Sequence, residues 1–134
     1  MDWLKQLFKK QDRQSGQAVV ELALMLPILI LILVGILDLG RIFEAQVTIT
    51  NAAREGARWA IDHPSDSSGI SSHVSAEATA GGFSPVITNP GGLGGSSGSP
   101  ITVTVTYSFT MLTTNIFAGV STIPIQSSAV MQIK

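Results

Sequence analysis

Among residues able to do chemistry, the most isolated is Glu21. It is the one charged residue between Ala18 and Leu37, where fourteen of the twenty positions are Leu, Ile or Val. An ionised carboxylate in hydrocarbon is costly unless a cation meets it, so Glu21 is suited to electrostatic pairing in a water-excluded place. Read alone, it is a first-turn acid favoured by the helix dipole and reaching for lipid headgroups. A second group is His63 and His73, ten residues apart, with Asp62 and Asp66 nearby. Imidazole and carboxylate are metal and acid–base groups, but in a polar stretch they read as solvent-exposed turn residues. A third is Gly94-Gly95-Ser96-Ser97-Gly98, which has the spacing of a nucleophile elbow. It lies in a low-complexity loop, whereas that chemistry needs a strand-to-helix turn, so the match reads as chance. No phosphate-binding loop and no Asn-x-Ser/Thr sequon is present. The expectation is a protein that is not an enzyme, with no catalytic residue, no metal and no cofactor.

Composition points the same way. The chain has 134 residues, no cysteine, and only 13% Asp, Glu, Lys and Arg, about half the usual share for a soluble domain. The absence of cysteine excludes disulfides, Cys-ligated zinc, iron–sulfur clusters and thiol catalysis. A net charge of −1 gives no basic excess for nucleic acid, so no nucleic-acid partner is expected. The mean hydropathy of +0.37 is high and its sources are segregated. Residues 1–16 carry Lys5, Lys9, Lys10 and Arg13 against Asp2 and Asp12. Residues 38–62 mix both signs. From Ala78 to Ile133 there is no charged residue and no histidine, so Ser, Thr and Gly carry the solvation.

The elements that must position these residues follow from periodicity. Twenty helical residues span about 30 Å, the hydrocarbon thickness, which makes 18–37 a membrane segment. Its apolar side chains contribute about −4 to −8 kcal/mol to insertion, against at most about 3 kcal/mol for Glu21 near one end. Pro27 lacks an N–H and weakens the helix locally. Four basic residues precede the segment and only Arg41 follows closely, which places the N-terminus in the cytoplasm and the C-terminus outside. No small-x-small site follows the apolar run, unlike a secretory signal peptide.

The helical rhythm continues through Leu39, Ile42, Phe43, Gln46, Ile49 and Ala53, supported by i, i+3 pairs Asp38/Arg41, Arg41/Glu44 and Glu55/Arg58. Asp62-His63-Pro64 stops it. A helix from about Gln17 to Ile61 would be about 68 Å long, so half of it projects beyond a bilayer. Thr48, Ala52, Gly56 and Ala60 form a small-residue stripe that admits close backbone approach. The stripe serves either the chain's own sheet or a neighbouring subunit.

Beyond Pro64, Ile70–Ala80 is expected as a short helix ended by Gly81-Gly82, and Phe83–Thr88 as a strand. Asn89–Pro100 reads as an exposed Gly/Ser loop. Ile101, Val103, Val105, Tyr107 and Phe109 alternate with Thr and Ser, and Ile123, Ile125, Ala129, Met131 and Ile133 form a second alternating face. These predict antiparallel strands packed on the long helix. The fold class is therefore α+β: a basic leader over 1–16, a long helix over 17–62 that spans the membrane over about 18–37, and a Ser/Thr/Gly-rich extracytoplasmic domain with antiparallel strands over 63–134.

One segment adds a resemblance. In Gly16-Gln17-Ala18-Val19-Val20-Glu21, a basic leader ends in glycine and an apolar helix with a position-five acid follows. This resembles the class III signal of type IV pilin-like proteins. The longer run from Gly16 to Pro27, Gly35-Ile36-Leu37-Asp38-Leu39-Gly40-Arg41, and Asn51-Ala52-Ala53-Arg54-Glu55-Gly56-Ala57-Arg58 are together similar to the TadE-like family, and the stretch from Val103 to the C-terminus fits its β tail. The resemblance implies a pilin-like structural subunit, a minor pilin or pseudopilin of a Tad/Flp-type pilus. It implies cleavage by a prepilin peptidase between Gly16 and Gln17, insertion in the bacterial cytoplasmic membrane, and transfer to an extracellular filament. Implied partners are pilin-like subunits in a homo- or hetero-oligomer, the peptidase, the membrane assembly platform and the lipid bilayer. Glu21 would be the position-five glutamate, neutralising the new α-amine of a neighbouring copy and so favouring one axial register. The family's pattern is departed from at Gln17, where type IVa pilins usually start with an N-methylated phenylalanine, and at Leu22, where Flp major pilins usually have tyrosine. Removal of residues 1–16 changes the net charge from −1 to −3. Two other readings stay open: the major subunit of a type IV-like filament, and a permanently anchored extracytoplasmic binding module.

Overall fold

A computed structural model describes the backbone of residues 2–84, 86–117, 119 and 122–134, and the side chains of 16–84, 86–114, 119 and 122–134. The architecture is α+β: a long helix followed by a small sheet. The chain order is α1 (Asp2–Asp62), α2 (Ser67–Ala80), β1 (Val86–Gly91), β2 (Pro100–Thr110), α3 (Leu112–Phe117) and β3 (Thr122–Gln132). Two compact units are distinguished, Met1–Leu37 and Asp38–Lys134.

α1 begins at Asp2, earlier than the expected start near Gln17. Residues 2–15 contain no proline and are rich in Lys, Gln and Leu, which favour helix, so Gly16 alone does not interrupt the backbone. The leader residues Trp3, Leu4, Leu7 and Phe8, read as weakly amphipathic, lie outside the described side chains. α1 ends at Asp62, before Pro64.

In the Asp38–Lys134 unit the sheet has the order β1-β2-β3, antiparallel throughout. Ile101, Val103, Val105 and Phe109 of β2 and Ile125 and Ala129 of β3 point inward onto Ala45, Ile49, Ala52, Ala53, Ala57 and Ala60 of α1 and Ile70, Val74 and Ala78 of α2. The α1 side of this core is mostly alanine, because a small side chain lets the helix axis approach two neighbours at once. Leu39 and Phe43, members of the helical rhythm above, lie on the exposed side of the helix, Phe43 at 70%. The core face of α1 is therefore narrower than its apolar face.

Several boundaries differ from expectation. β1 extends to Gly91, since Asn89, Pro90 and Gly91 pair with Thr104, Val103 and Thr102. The Gly/Ser loop that follows is tied down: Gly94 N–H donates to the Pro64 carbonyl at 2.9 Å and Gly98 N–H to the Ile133 carbonyl at 2.8 Å. α2 starts at Ser67 because Asp66 caps it, accepting from Gly69 N–H at 2.9 Å. It ends where Gly82 takes φ +84 and Phe83 N–H returns to the Ala78 carbonyl at 2.9 Å, a geometry that favours glycine. α3 had no counterpart in the sequence reading.

Candidate functional site

Of the first unit, Asp2–Leu37 is helical, and its described side chains from Gly16 onward are almost all exposed. Val19, Leu22, Leu24, Met25 and Ile36 are each at least 59% exposed. Gly16–Asp62 is the one helix among the described residues long and apolar enough to cross a membrane. A helix apolar on every side needs an apolar surrounding, lipid or other helices. Gly16 has open space where a Cβ would stand. Gln17 Nε2 donates to Glu21 Oε1 at 3.4 Å, one turn away. Gly16, Gln17 and Glu21 thus share one exposed stretch of helix, with the amide of Gln17 on the carboxylate. The Gly16–Gln17 peptide lies inside the helix, so exposing its backbone requires local unwinding. Glycine lowers the cost of that by about 1 kcal/mol relative to alanine. Pro27 also lies within α1.

The small-residue stripe belongs to the other unit. Ala52, Gly56 and Ala60 are buried there and Thr48 is half-buried. A Cβ added at Gly56 would collide with Val74 Cγ2 and stand 3.2 Å from Val103 Cγ1. A Cβ at Gly81 would collide with Thr48 Cγ2. In this structure the stripe therefore receives α2 and β2 of its own chain.

Just beyond the apolar run, Asp38 is 1% exposed, the one buried charged residue among those described. Its carboxylate accepts from Leu112 N–H at 3.0 Å, from Thr113 N–H at 2.8 Å, and from the Thr113 hydroxyl. Arg41 Nη1 donates to it at 3.2 Å, and the Arg41 guanidinium lies 4.9 Å from the Phe109 ring centroid. The Thr113 hydroxyl and N–H, with Leu112 N–H and Arg41, hold the Asp38 carboxyl down to about 2. Asp38 thereby satisfies the free N–H groups that open α3 and ties the β2–β3 connection to α1. Sequence reasoning took Asp38 only as the partner of Arg41. The available signal was the bare Leu112-Thr113-Thr114 run after a strand, a helix start with no acid of its own. Among the described residues, Arg41/Glu44 and Glu55/Arg58 form no ion pair; the second pair present is Asp62–Lys134 at 3.1 Å.

Trp59 stacks on His63 and on His73, with centroids 4.2 and 4.1 Å apart and planes inclined by 12° and 24°. Both imidazoles are thus held against the indole, and among the described residues no group of three or more His, Asp or Glu is placed to hold a metal ion. Asp66, nearby, is lowered by the Gly69 N–H and the Ser68 hydroxyl. The Ser96 side chain's bond among the described residues is to Ser99, at 3.5 Å.

Residues 16–58 match the family model described as TadE-like protein. No curated protein and no solved structure matches the chain.

Proposed function

We propose, from the premise that residues 16–58 are a TadE-like segment, that this protein is a pilin-like structural subunit, a minor pilin or pseudopilin of a Tad/type IV-like pilus. The observation that carries the reading is where the match begins. It starts at Gly16, the residue that closes the basic leader and opens the apolar helix. A prepilin peptidase cuts after Gly16, on the cytoplasmic side of the membrane. The helix from Gln17 holds the subunit in the cytoplasmic membrane, with the Asp38–Lys134 unit outside. The subunit then leaves lipid for a filament, or primes one, through the same helix. Exposed Leu, Ile and Val exchange lipid for neighbouring helices, so van der Waals packing and polar pairing set the geometry. Glu21 supplies the pairing, taking the α-amine of Gln17 from a neighbouring copy once the leader is gone.

Intact mass and N-terminal sequencing of the protein from native membranes and from sheared surface material test this. The expected chain begins at Gln17, carries a net charge of −3, and occurs in the sheared fraction. A chain beginning at Met1 in every fraction refutes processing and leaves a permanently anchored module. Glu21→Ala separates assembly from processing. It should still be cut, yet fall at least about tenfold in the sheared fraction, the change that 1.4 kcal/mol of lost pairing produces.

A further inference from the structure

The two edges of the sheet are protected differently. β1 has six residues, includes Pro90, ends in Gly91 and has α2 beside it. β3, at the other edge, has 11 residues and pairs with β2 alone. It contains no Lys, Arg, Asp or Glu, and its proline, Pro124, stands third in the strand. Among the described residues, no backbone hydrogen bond reaches Thr122–Gln132 other than the ladder to β2. A long neutral edge is a template for another strand, and proteins blunt such edges with charge, proline, a bulge or a covering element. β1 carries two of these devices, proline and a covering helix; β3 carries one, Pro124 at its third position, and its remaining edge over residues 125–132 is open. We propose that the open edge of β3 pairs antiparallel with β3 of a second copy of this chain, joining two sheets across a two-fold axis.

The strand's own sequence accommodates that partner. Full overlap sets Thr122 opposite the second copy's Gln132 and Ser127 opposite Ser127. On the inward face Ile125 meets Ala129 and Ile123 meets Met131. On the solvent face Gln126 meets Ser128, and Val130, 63% exposed, meets Pro124, which offers no N–H, so the backbone ladder centres on residues 126–128. A slip by one residue would set inward side chains against outward ones, so only even shifts compete. No like charges oppose each other, because β3 has none. Pairing of identical edges closes on itself and needs no second surface. The alternative of β3 against a second copy's β1 offers fewer residues, and α2 already lies beside that strand. The inference rests on the sheet edge and stands whether or not the filament reading holds.

The absence of native cysteine makes cross-linking clean. Full-length Gln126→Cys and Ser128→Cys chains, mixed in detergent micelles and oxidised, should form the mixed disulfide at least about tenfold over either self-pair. Directly opposed residues have Cα atoms about 4.5–5.5 Å apart, within disulfide reach. Each self-pair is diagonal at about 7–8 Å and beyond it. Equal yields of the three dimers overturn the proposal, as does Ile87→Cys on β1 cross-linking equally well, or no disulfide dimer at all. Hydrogen exchange of the unsubstituted chain gives a second readout. Amides of β3 should gain protection as chain per micelle rises, while those of β1 stay constant; unchanged β3 exchange overturns the proposal.

Discussion

Gly56→Leu is expected to cost the Asp38–Lys134 unit at least about 3 kcal/mol of stability and to lower its unfolding midpoint by on the order of ten degrees or more. Gly56 stands where α1 meets α2 and β2 together, and even a Cβ there collides with Val74 and crowds Val103. Both neighbours are fully buried and β-branched, so neither swings aside without leaving its rotamer. Overpacking a dense core by a few atoms costs about 1–3 kcal/mol, and four carbons exceed that. Small domains have only about 5–15 kcal/mol in hand. Gly56→Ala is the sharper comparison. Alanine favours the helix by about 1 kcal/mol over glycine, whereas the collision opposes it by about 1–3 kcal/mol. The net sign should be destabilising, by about 1 kcal/mol. Thermal unfolding of the full chain in micelles, followed by near-ultraviolet dichroism, measures both. A Gly56→Ala chain more stable than the parent would show that Val74 yields freely.

Asp38→Ala is expected to lower the unfolding midpoint by on the order of ten degrees. It strands three donors at once: the two N–H groups that open α3 and the Thr113 hydroxyl, besides leaving Arg41 without its acid. A buried donor left without an acceptor loses more than the bond was worth, because it keeps its desolvation cost. Asp38→Asn should be destabilising too. Its amide nitrogen would face a backbone N–H, donor against donor. The parent has an acid signature. The Asp38 carboxyl titrates at 3.8 unfolded and about 2 folded, so its contribution is complete above about pH 4 and is lost as pH falls toward 2. Asp38→Ala should flatten that part of the stability profile. An unchanged acid slope in the variant would place the sensitivity elsewhere, with Asp66 next to test.

These two positions show what could and could not be read from the chain. The long apolar helix, its stop before Pro64 and the alternation in β2 are local, so period and composition expose them. Gly56 was legible as one member of a small-residue stripe, but its neighbours were not. Whether a stripe receives its own sheet or another subunit depends on where residues 70–103 return, and no periodicity contains that. Asp38 was hidden by its neighbour Arg41, which supplied a sufficient local explanation while the decisive donors lay 74 and 75 residues away. Trp59 was overlooked because one of its partners, His73, lies on α2 and reaches it only when α2 folds back. The Gly16–Glu21 pattern was visible because all its residues lie in one short linear stretch.

The Asp38–Thr113 tie also has a consequence for the order of events in synthesis. The residues that close the domain come late: β2 ends at Thr110, α3 follows, and β3 with the buried Ile133 comes last. The alanine face of α1 is made some fifty residues before the strands that cover it. Its burial depends on distant contacts, the kind that slow folding. If the chain is threaded across a membrane from its N-terminal anchor outward, the helix emerges first and stands uncovered on the far side. The domain then closes in one late step, when β3 arrives. A helper that shields a bare helix during export would act in that interval, and a truncation anywhere before Ile133 would prolong it indefinitely.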